Sequence, residues 1–367
     1  MLNILHITFN MGIGGTEQVI RQLVTCLPNN KYRNRIVCID GIIGPIGEAL
    51  SAEGISVEAM RRKPGLDLGL VMALKRLIRH HNIDIVHCHQ YTPFVYGWLA
   101  TIGRKTKVVF TEHGRFYPDR YRYKAALVNP IMALSSDAVV AISVATREAL
   151  SKYEFIPKAK VRVIYNGIQA LKSSPEKTAE VRYKLGIPQD AYVIGTVARL
   201  DPVKNQEMML NAFAQIIEDI PNSWLLMVGD GPDRKKLEAL SSTLGVSDRV
   251  IFTGFISLPK DYLASMDLFL LSSHTEGTSM TLLESLSLEI PSVVTNVGGN
   301  PEIVTHLETG MLVESDDAAA FADAIKELNS NTNLYETMKI NCRIVFKERF
   351  SVDKMISQYD DLYGEFC

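Results

Sequence analysis

Several features that would narrow the function at once are missing from this chain. Its five cysteines are scattered, odd in number and without a CxxC pair, which indicates reduced, cytosolic thiols. No apolar run approaches the roughly 18 residues of a membrane-spanning helix. The net charge of −2 gives no general attraction to nucleic acid. The first residues lack a basic start and a long apolar core, so we expect no signal peptide and a cytoplasmic protein.

Two common nucleotide-binding signatures are also missing. No Gly-Lys-Ser/Thr follows a glycine-rich turn, which argues against a P-loop, and no GxGxxG stands in the register of a dinucleotide site. A glycine-rich turn at residues 11–17 does connect an apolar strand, 3–8, to a helix, 19–27. Such a turn lets the backbone approach a ligand closely and directs amides at an anion. A tight turn that serves only packing is the alternative.

The length and the order of the predicted elements indicate two α/β domains. A chain of 367 residues exceeds what one core usually serves. Apolar strands alternate with helices along both halves, which is typical of βαβ units. A polar segment carrying Ser173, Ser174 and Pro175 is the predicted linker. The expected strands are 3–8, 35–40, 56–60, 83–87, 107–111, 136–143 and 161–165 in the first half, and 191–197, 224–228, 249–252, 268–271 and 292–295 in the second.

Residues 267–304 contain two successive strand–loop–helix units. The strand 268–271 ends in a polar loop, Thr278 and Ser279 are good N-cap residues, and Pro291 stops the helix that follows. The strand 292–295 then leads to a Gly-Gly pair and a further helix. The loops of both units should therefore lie at the same edge of a parallel sheet, where open α/β sheets bind their ligands.

Two carboxylates in this stretch, Glu276 and Glu284, are eight residues apart. On one continuous helix they would be about 12 Å apart along the axis, which is too far for two groups acting on a single bond. The spacing suits opposite ends of an elongated ligand. The amides of Ser279 and Met280 lie between them at a helix N-terminus, where a phosphate binds well. The pattern thus indicates a sugar nucleotide, with a solvated helix face as the alternative.

Two cations, Arg199 and Lys204, follow the strand 191–197 and precede a helix. At that position they can neutralise a diphosphate leaving group, each contact contributing about 1.5–3 kcal/mol. They would then supply the electrostatic stabilisation that a metal ion supplies elsewhere. The alternative is a surface arginine and a surface lysine.

Histidines follow two of the predicted strands. His113 closes the strand 107–111 next to a glycine, where it can hydrogen-bond a sugar hydroxyl or handle a proton; a core histidine is the alternative. His87 and His89 suggest a metal, but we expect them to face opposite sides of a strand end, without a carboxylate–histidine set. No metal site is therefore predicted.

Residues 104–124 combine seven basic side chains with three tyrosines. Cations interleaved with aromatic rings suit an anionic, lipid-diphosphate-linked sugar acceptor at a membrane surface. Because no helix-length amphipathic anchor is present, any contact with the inner face of the membrane would be peripheral. A solvated surface is the alternative.

Residues 276–304, EGTSMTLLESLSLEIPSVVTNVGGNPEIV, resemble the donor-binding motif of the retaining glycosyltransferases of family four (glycosyltransferases group 1), which have the GT-B fold. The resemblance covers nearly the whole chain. It includes GGTE at 14–17, VRVIYNGI at 161–168 and VARLDPVKN at 197–205. One departure is Thr278, where the family often has proline.

The resemblance implies two Rossmann-like domains whose parallel sheets face a central cleft. Residues 1–172 would bind the acceptor, 173–350 would bind the donor, and a helix at 351–367 would pack back on the first domain. The implied reaction is retaining, metal-independent transfer of a hexosyl or N-acetylhexosaminyl group, from a nucleotide sugar with UDP as the expected nucleotide, to a glycan or lipid-linked saccharide in surface-polysaccharide synthesis. No cofactor is implied beyond the donor itself.

The resemblance also assigns roles to single residues. Arg199 and Lys204 would hold the diphosphate, and His113 would orient the reacting sugar. Glu276 would bind sugar hydroxyls and Glu284 the ribose hydroxyls. The remaining implied contacts are made by the backbone. Phosphate oxygens would be bound by the amides of Gly14, Gly15, Ser279 and Met280, and the base would lie beside the backbone of Phe255.

Two other functions stay open at this point. A nucleotide-sugar 2-epimerase shares the architecture, although its characteristic acid/base carboxylates are not evident. A non-catalytic sugar-nucleotide binder is the second, and the complete set of Arg199, Lys204, Glu276 and Glu284 argues against it.

Overall fold

The computed structural model describes residues 1–114 and 121–366, and its chain divides into two compact units. The first unit runs from Met1 to Gly167 and includes the C-terminal segment that starts at Val352. The second unit runs from Ile168 to Ser351. Each unit is built on one parallel β-sheet with helices in the connections, so the predicted α/β class is confirmed.

The first unit has a seven-stranded sheet in the order β3-β2-β1-β4-β5-β6-β7. Its strands are β1 Leu2–Thr8, β2 Tyr32–Cys38, β3 Ser56–Ala59, β4 Ile85–His89, β5 Lys107–Glu112, β6 Ala138–Ala141 and β7 Val161–Val163. Its first six helices are α1 Gly15–Cys26, α2 Pro45–Ala52, α3 Leu68–His80, α4 Tyr91–Thr101, α5 Val128–Ser135 and α6 Val144–Glu154.

The strand order of this sheet reverses between β1 and β4. The two strands pair directly, with Ile4 opposite Ile85, and both consist mostly of buried residues. Where the order reverses, the connecting helices leave the sheet on opposite faces, and a crevice opens at the carboxyl ends of the two strands. The glycine turn after β1 and the end of β4 therefore border the ligand edge of this unit.

The second unit has a six-stranded sheet in the order β10-β9-β8-β11-β12-β13. Its strands are β8 Tyr192–Val197, β9 Ser223–Val228, β10 Val250–Gly254, β11 Leu268–Leu271, β12 Ser292–Thr295 and β13 Gly310–Val313. Its helices are α7 Pro175–Lys184, α8 Gln206–Ile216, α9 Arg234–Thr243, α10 Lys260–Ala264, α11 Met280–Ser287, α12 Asn300–Ile303, α13 Ala318–Ser330 and α14 Thr332–Val345. Here the order reverses between β8 and β11, which pair at Leu268 and Phe269.

The last helix, α15 (Val352–Gly364), belongs to the first unit and is anchored there through buried polar groups. The Tyr363 hydroxyl lies 2.7 Å from His87 Nδ1, and the Tyr359 hydroxyl lies 3.1 Å from Thr111 Oγ1. Both tyrosine rings are almost fully buried. Since a buried donor or acceptor without a partner destabilises a fold, these contacts fix the position of α15 more specifically than apolar packing alone would.

Replacing Tyr363 with phenylalanine is expected to lower the free energy of unfolding by about 1–3 kcal/mol, because it leaves His87 Nδ1 buried without that hydroxyl while keeping the ring volume. Urea unfolding measures the change. Tyr183→Phe is the matched control, since that ring is 85% exposed. Equal losses in the two variants would contradict the role assigned to the Tyr363 hydroxyl.

Candidate functional site

The predicted donor-binding residues of the second unit come from the two strands at which its sheet order reverses. Arg199 and Lys204 follow the carboxyl end of β8, and Glu276 lies in the loop after β11. Because β8 and β11 are neighbours, their following loops meet at one edge of the sheet. The backbone confirms this meeting, since the His274 amide donates to the Val203 carbonyl at 2.8 Å.

Asp201 organises the segment that carries the two cations. Its Oδ1 accepts hydrogen bonds from the amides of Val203 and Lys204 at 3.1 and 3.3 Å, which caps a short 3₁₀ turn. Its Oδ2 lies 2.6 Å from Arg199 Nε. The Asp201 side chain is 8% exposed and that of Arg199 is 67% exposed. The aspartate therefore holds one edge of the guanidinium and leaves most of it accessible to an anion.

Lys204 forms an ion pair with Glu276. Its Nζ lies 2.6 Å from Glu276 Oε1, which also accepts a hydrogen bond from Ser273 Oγ at 2.7 Å. The Glu276 side chain is 9% exposed and that of Lys204 is 25% exposed. The structure thus brings together two residues that sequence reasoning had assigned to one ligand. In the free protein they neutralise each other, and an anionic ligand would compete with the carboxylate for the ammonium.

A glycine turn supports the Glu276 loop from behind. Gly298 has φ +52°, and a Cβ there would lie 2.0 Å from the Glu276 carbonyl oxygen. The Gly299 amide donates to that same carbonyl at 3.1 Å. Only a residue without a side chain allows this approach, so Gly298 sets the position of the loop.

Helix α11 begins where the predicted N-cap residues Thr278 and Ser279 indicate. Ser279 is its N-cap, with Oγ accepting from the Leu282 amide at 3.3 Å, and Met280 is its first residue. Glu276 lies in the loop before the helix, so the expectation of about 12 Å between carboxylates on one continuous helix does not apply. The predicted N-cap already separates Glu276 in the loop from Glu284 on the helix, so the two carboxylates lie on different elements.

Glu284 lies on the second turn of α11 and is half-buried. Burial raises the pKa of its carboxyl group to about 7, because the charged form loses hydration. Within the described part of the chain, no side chain or amide donates a hydrogen bond to it. A carboxylate so placed gains strongly from a ligand that donates to it, as a pair of vicinal hydroxyls does.

This raised pKa predicts a pH-dependent stability. The folded protein holds the Glu284 proton more tightly than the unfolded chain, so the stabilisation is fully present below about pH 4.5 and is lost as the pH rises through about 7. The variant Glu284→Gln lacks this ionisation. Its free energy of unfolding, relative to that of the parent protein, should therefore be roughly 1–2 kcal/mol higher at about pH 8 than at about pH 5. Thermal unfolding at both pH values measures this. Glu180→Gln, at an exposed position on α7, is the matched control.

Phe255 directly follows β10, and its ring is 64% exposed. The preceding residue, Gly254, has φ +76° and accepts a hydrogen bond from the Gly229 amide at 3.1 Å. Position 254 therefore favours glycine, and the turn it makes puts the Phe255 backbone beyond the sheet edge. The predicted contact with a base stays a prediction.

In the first unit, Gly14 is the N-cap of α1 and Gly15 is its first residue. The carboxylate of Glu17 folds toward this end, so that a Cβ on Gly14 would lie 2.4 Å from Glu17 Oε2. Burial raises the pKa of Glu17. The turn thus has the strand-to-helix geometry of an anion site, with the Glu17 carboxyl group beside Gly14.

His113 lies just beyond β5, within a cluster of buried histidines that the sequence analysis misjudged. The prediction that His87 and His89 face opposite sides of a strand end is wrong. Residues two apart on a strand share a face, β4 extends to His89, and the two rings lie 4.1 Å apart between centroids. His6 of β1 completes this cluster, and His89 Nδ1 lies 2.9 Å from His113 Nε2.

Sequence reasoning missed three residues that position the predicted ones. Asp201 could have been found, because an aspartate directly before a proline is a typical N-cap signal. Ser273 and His6 carry no comparable signal. A serine in a polar loop and a histidine inside an apolar strand become interpretable only when their neighbours are known.

Two family models match the chain in succession. Residues 13–170 match the model described as Glycosyltransferase Family 4, and residues 177–344 match the model described as Glycosyl transferases group 1. Between them they cover most of both units. The predicted donor-binding residues Arg199, Lys204, Glu276 and Glu284 all lie within the second match.

Relatives match over most of the chain. The UDP-Gal:alpha-D-GlcNAc-diphosphoundecaprenol alpha-1,3-galactosyltransferase of Escherichia coli is 27% identical over 99% of this chain and 96% of its own length. An uncharacterized glycosyltransferase of Methanocaldococcus jannaschii, MJ1607, is 30% identical over 76% of this chain and 75% of its own length.

A solved structure matches along the full chain. Alr3699/HepE of Anabaena, crystallised in complex with UDP, has a TM-score of 0.88 at 23% identity and covers all of both chains. At that identity the likeness shows the fold, and the predicted GT-B class, with a seven-stranded and a six-stranded parallel sheet, is confirmed. By its two consecutive family matches and its similarity to MJ1607, this chain belongs to the group 1, family 4 glycosyltransferases.

Proposed function

We propose that this glycosyltransferase moves a sugar from a UDP-sugar to a hydroxyl group of a glycan or lipid-diphosphate-linked saccharide, with retention of anomeric configuration and without a metal ion. The second unit would bind the donor and the first unit the acceptor. The named E. coli relative acts on a diphosphoundecaprenol-linked sugar, and the Anabaena structure contains UDP, which supports both choices.

The observation that carries the proposal is the convergence of Arg199 and Lys204 with Glu276 beside the switch point of the second sheet. Two cations held by carboxylates form a preorganised site for a dianionic diphosphate, and their charge can stabilise the leaving group as it departs. When the diphosphate binds Lys204, the ion pair between Lys204 and Glu276 would break, and Glu276 could then accept hydrogen bonds from sugar hydroxyls. Lys204 and Glu276 would thus change partners together on donor binding.

The other residues have supporting roles. Glu284, half-buried and without a hydrogen-bond donor in the described chain, would bind the ribose hydroxyls. The α11 N-terminus at Ser279 and Met280 and the turn at Gly14 and Gly15 would face phosphate oxygens. Since no carboxylate among the described residues is placed as an obvious covalent nucleophile, we favour a front-face reaction in which the leaving phosphate assists the acceptor hydroxyl.

The test is donor hydrolysis without acceptor across UDP-, GDP- and ADP-sugars, with and without EDTA. Slow release of UDP from one donor, unaffected by EDTA, supports the proposal and identifies the sugar. The configuration of the transferred sugar, read by NMR once an acceptor is found, tests retention. Interconversion of the donor sugar would instead indicate the epimerase, and binding without turnover in the presence of lipid-linked acceptors would indicate a non-catalytic binder.

The acceptor side of the proposal includes a peripheral contact with a membrane. Residues 115–120 of the predicted acceptor segment lie outside the described residues. Next to them, Leu127, Ile131 and Leu134 lie at helical spacing around α5, and their side chains are 83%, 61% and 63% exposed. No helix in the described ranges is long and apolar enough to cross a bilayer. An exposed apolar helix face beside Lys124 suits shallow insertion among anionic headgroups.

Replacing Ile131 with aspartate is expected to weaken binding to anionic phospholipid vesicles at least about tenfold, because a large apolar side chain contributes about 1.5–3 kcal/mol when it leaves water. Co-sedimentation with vesicles measures the effect. Leu258→Asp is the matched control, since that side chain is 82% exposed in the second unit. Unchanged vesicle binding by the Ile131 variant, or an equal loss of binding in both variants, would show that α5 does not form the membrane contact.

A further inference from the structure

Three histidines of the first unit form one continuous line of hydrogen bonds. His6 Nε2 lies 3.2 Å from Asn34 Oδ1, and His6 Nδ1 lies 3.0 Å from His89 Nε2. His89 Nδ1 in turn lies 2.9 Å from His113 Nε2. The line ends at His113 Nδ1, which is buried and has no hydrogen-bond partner among the described residues. It therefore joins an amide on β2 to the carboxyl end of β5.

Every imidazole in this line is held neutral. Burial lowers the pKa of His6 to about 4 and that of His113 to about 3, and it holds the pKa of His89 well below its usual range. A neutral imidazole has one N–H donor and one acceptor nitrogen. In a row of such rings, the direction of one hydrogen bond therefore dictates the direction of all the others.

The Asn34 amide sets that direction. Its Oδ1 can only accept, so His6 must carry its proton on Nε2 and accept at Nδ1. His89 then donates from Nε2 to His6, and His113 donates from Nε2 to His89. The opposite end of the amide supports this orientation, since Nδ2 faces the Val24 carbonyl at 3.5 Å.

We propose that Asn34, His6 and His89 are positioning residues that hold His113 in the tautomer protonated at Nε2, so that its Nδ1 can only accept a hydrogen bond from a hydroxyl group. That this hydroxyl belongs to a sugar rests on the proposed function. The tautomer of His113 does not depend on that function. An unpartnered buried acceptor destabilises the free protein, and a hydroxyl donor in the bound state would remove this cost.

A metal site is the other chemistry that clustered histidines suggest. One ligand atom each from His6, His87 and His89 lies within 4.8 Å of the others. However, the nitrogens of His87 are hydrogen-bonded to Thr111 and Tyr363, both at 2.7 Å, and His6 is bonded directly to His89. An ion would have to replace these bonds, and the three residues bring no anionic ligand to the ion. The hydrogen-bonded line accounts for every nitrogen of His6 and His89.

The test reads the tautomers directly. Long-range ¹H–¹⁵N correlation spectra of protein labelled at its eight histidines separate protonated from unprotonated ring nitrogens. The expected result at neutral pH is protonation at Nε2 in His6, His89 and His113. Protonation of His113 at Nδ1, or a positively charged His113, would overturn the proposal. So would one equivalent of bound zinc in the purified protein that is lost in His6→Gln, since bound nitrogens could not form the line.

Asn34→Leu removes the acceptor at the start of the line, and Asn34→Asp is the matched control because it keeps a carboxyl oxygen there. We expect mixed tautomers at His113 in the leucine variant and the parental tautomer in the aspartate variant. If turnover has been established, kcat should fall about tenfold in Asn34→Leu and recover in Asn34→Asp, by analogy with partners that orient other functional imidazoles. An unchanged His113 tautomer in Asn34→Leu would show that Asn34 does not set it. Because the spectra need no substrate, this result is independent of whether the proposed reaction is correct.

Discussion

Arg199→Ala is expected to lower kcat about 100- to 1,000-fold, with a smaller effect on the KM of the donor, because removing one preorganised charge contact from a leaving group typically has an effect of this size. In the structure, Asp201 holds Arg199 Nε at 2.6 Å and leaves the guanidinium 67% exposed. The guanidinium group is therefore already oriented before the donor binds. Initial rates at saturating acceptor, over a range of donor concentrations, measure the two constants separately.

The control for this variant is Arg343→Ala, an arginine of the second unit that is 62% exposed and pairs with Glu289 at 3.5 Å. Its kcat should match that of the parent. Arg199→Lys retains the charge but not the fork that Asp201 holds, so we expect an intermediate rate. A near-normal rate for Arg199→Ala would remove Arg199 from the site and count against the assigned donor geometry.

Lys204→Met is expected to act on both stability and turnover. The methionine keeps the length of the side chain but leaves Glu276, which is 9% exposed, without its cation. An ionised carboxylate left in that position destabilises the fold by about 3 kcal/mol, the lower end of the range for broken buried pairs because Lys204 is partly solvated. The same change removes a diphosphate contact, so kcat should fall about 100-fold or more.

A double-mutant cycle separates these two effects. Glu276→Gln keeps a group that can accept from Ser273 while removing the charge, so Lys204→Met together with Glu276→Gln should recover most of the lost stability. It should not recover kcat, because the diphosphate contact is still missing. Urea unfolding and initial rates on the four proteins measure both quantities. Recovery of turnover in the double variant would mean that Lys204 serves only to neutralise Glu276.

The elements that the sequence predicted well share one property: their local pattern of apolar residues matches the faces that are buried in the fold. The strands 268–271 and 292–295 have the bounds that were expected, and α3 is one of the helices expected between strands. The two strands are continuous apolar runs because both faces of a parallel sheet are covered, and α3 buries residues at helical spacing along one face. Helix α4 also lies between two predicted strands, but the sequence did not indicate its bounds, for the opposite reason. It contains Pro93 and Gly97 and is apolar on nearly all sides, so it shows no helical period.

The sequence by itself determined the α/β class, the strand-end position of Arg199, Lys204 and Glu276, and, through resemblance, the family. These follow from short-range order, since a residue after an apolar strand must lie at the edge of the sheet. Only the tertiary structure decided which side chains meet. The Lys204–Glu276 pair joins residues 72 positions apart, and the line from Asn34 through His6 and His89 to His113 crosses four strands. Strand order and register bring these groups together, and neither is encoded in the local period of the chain.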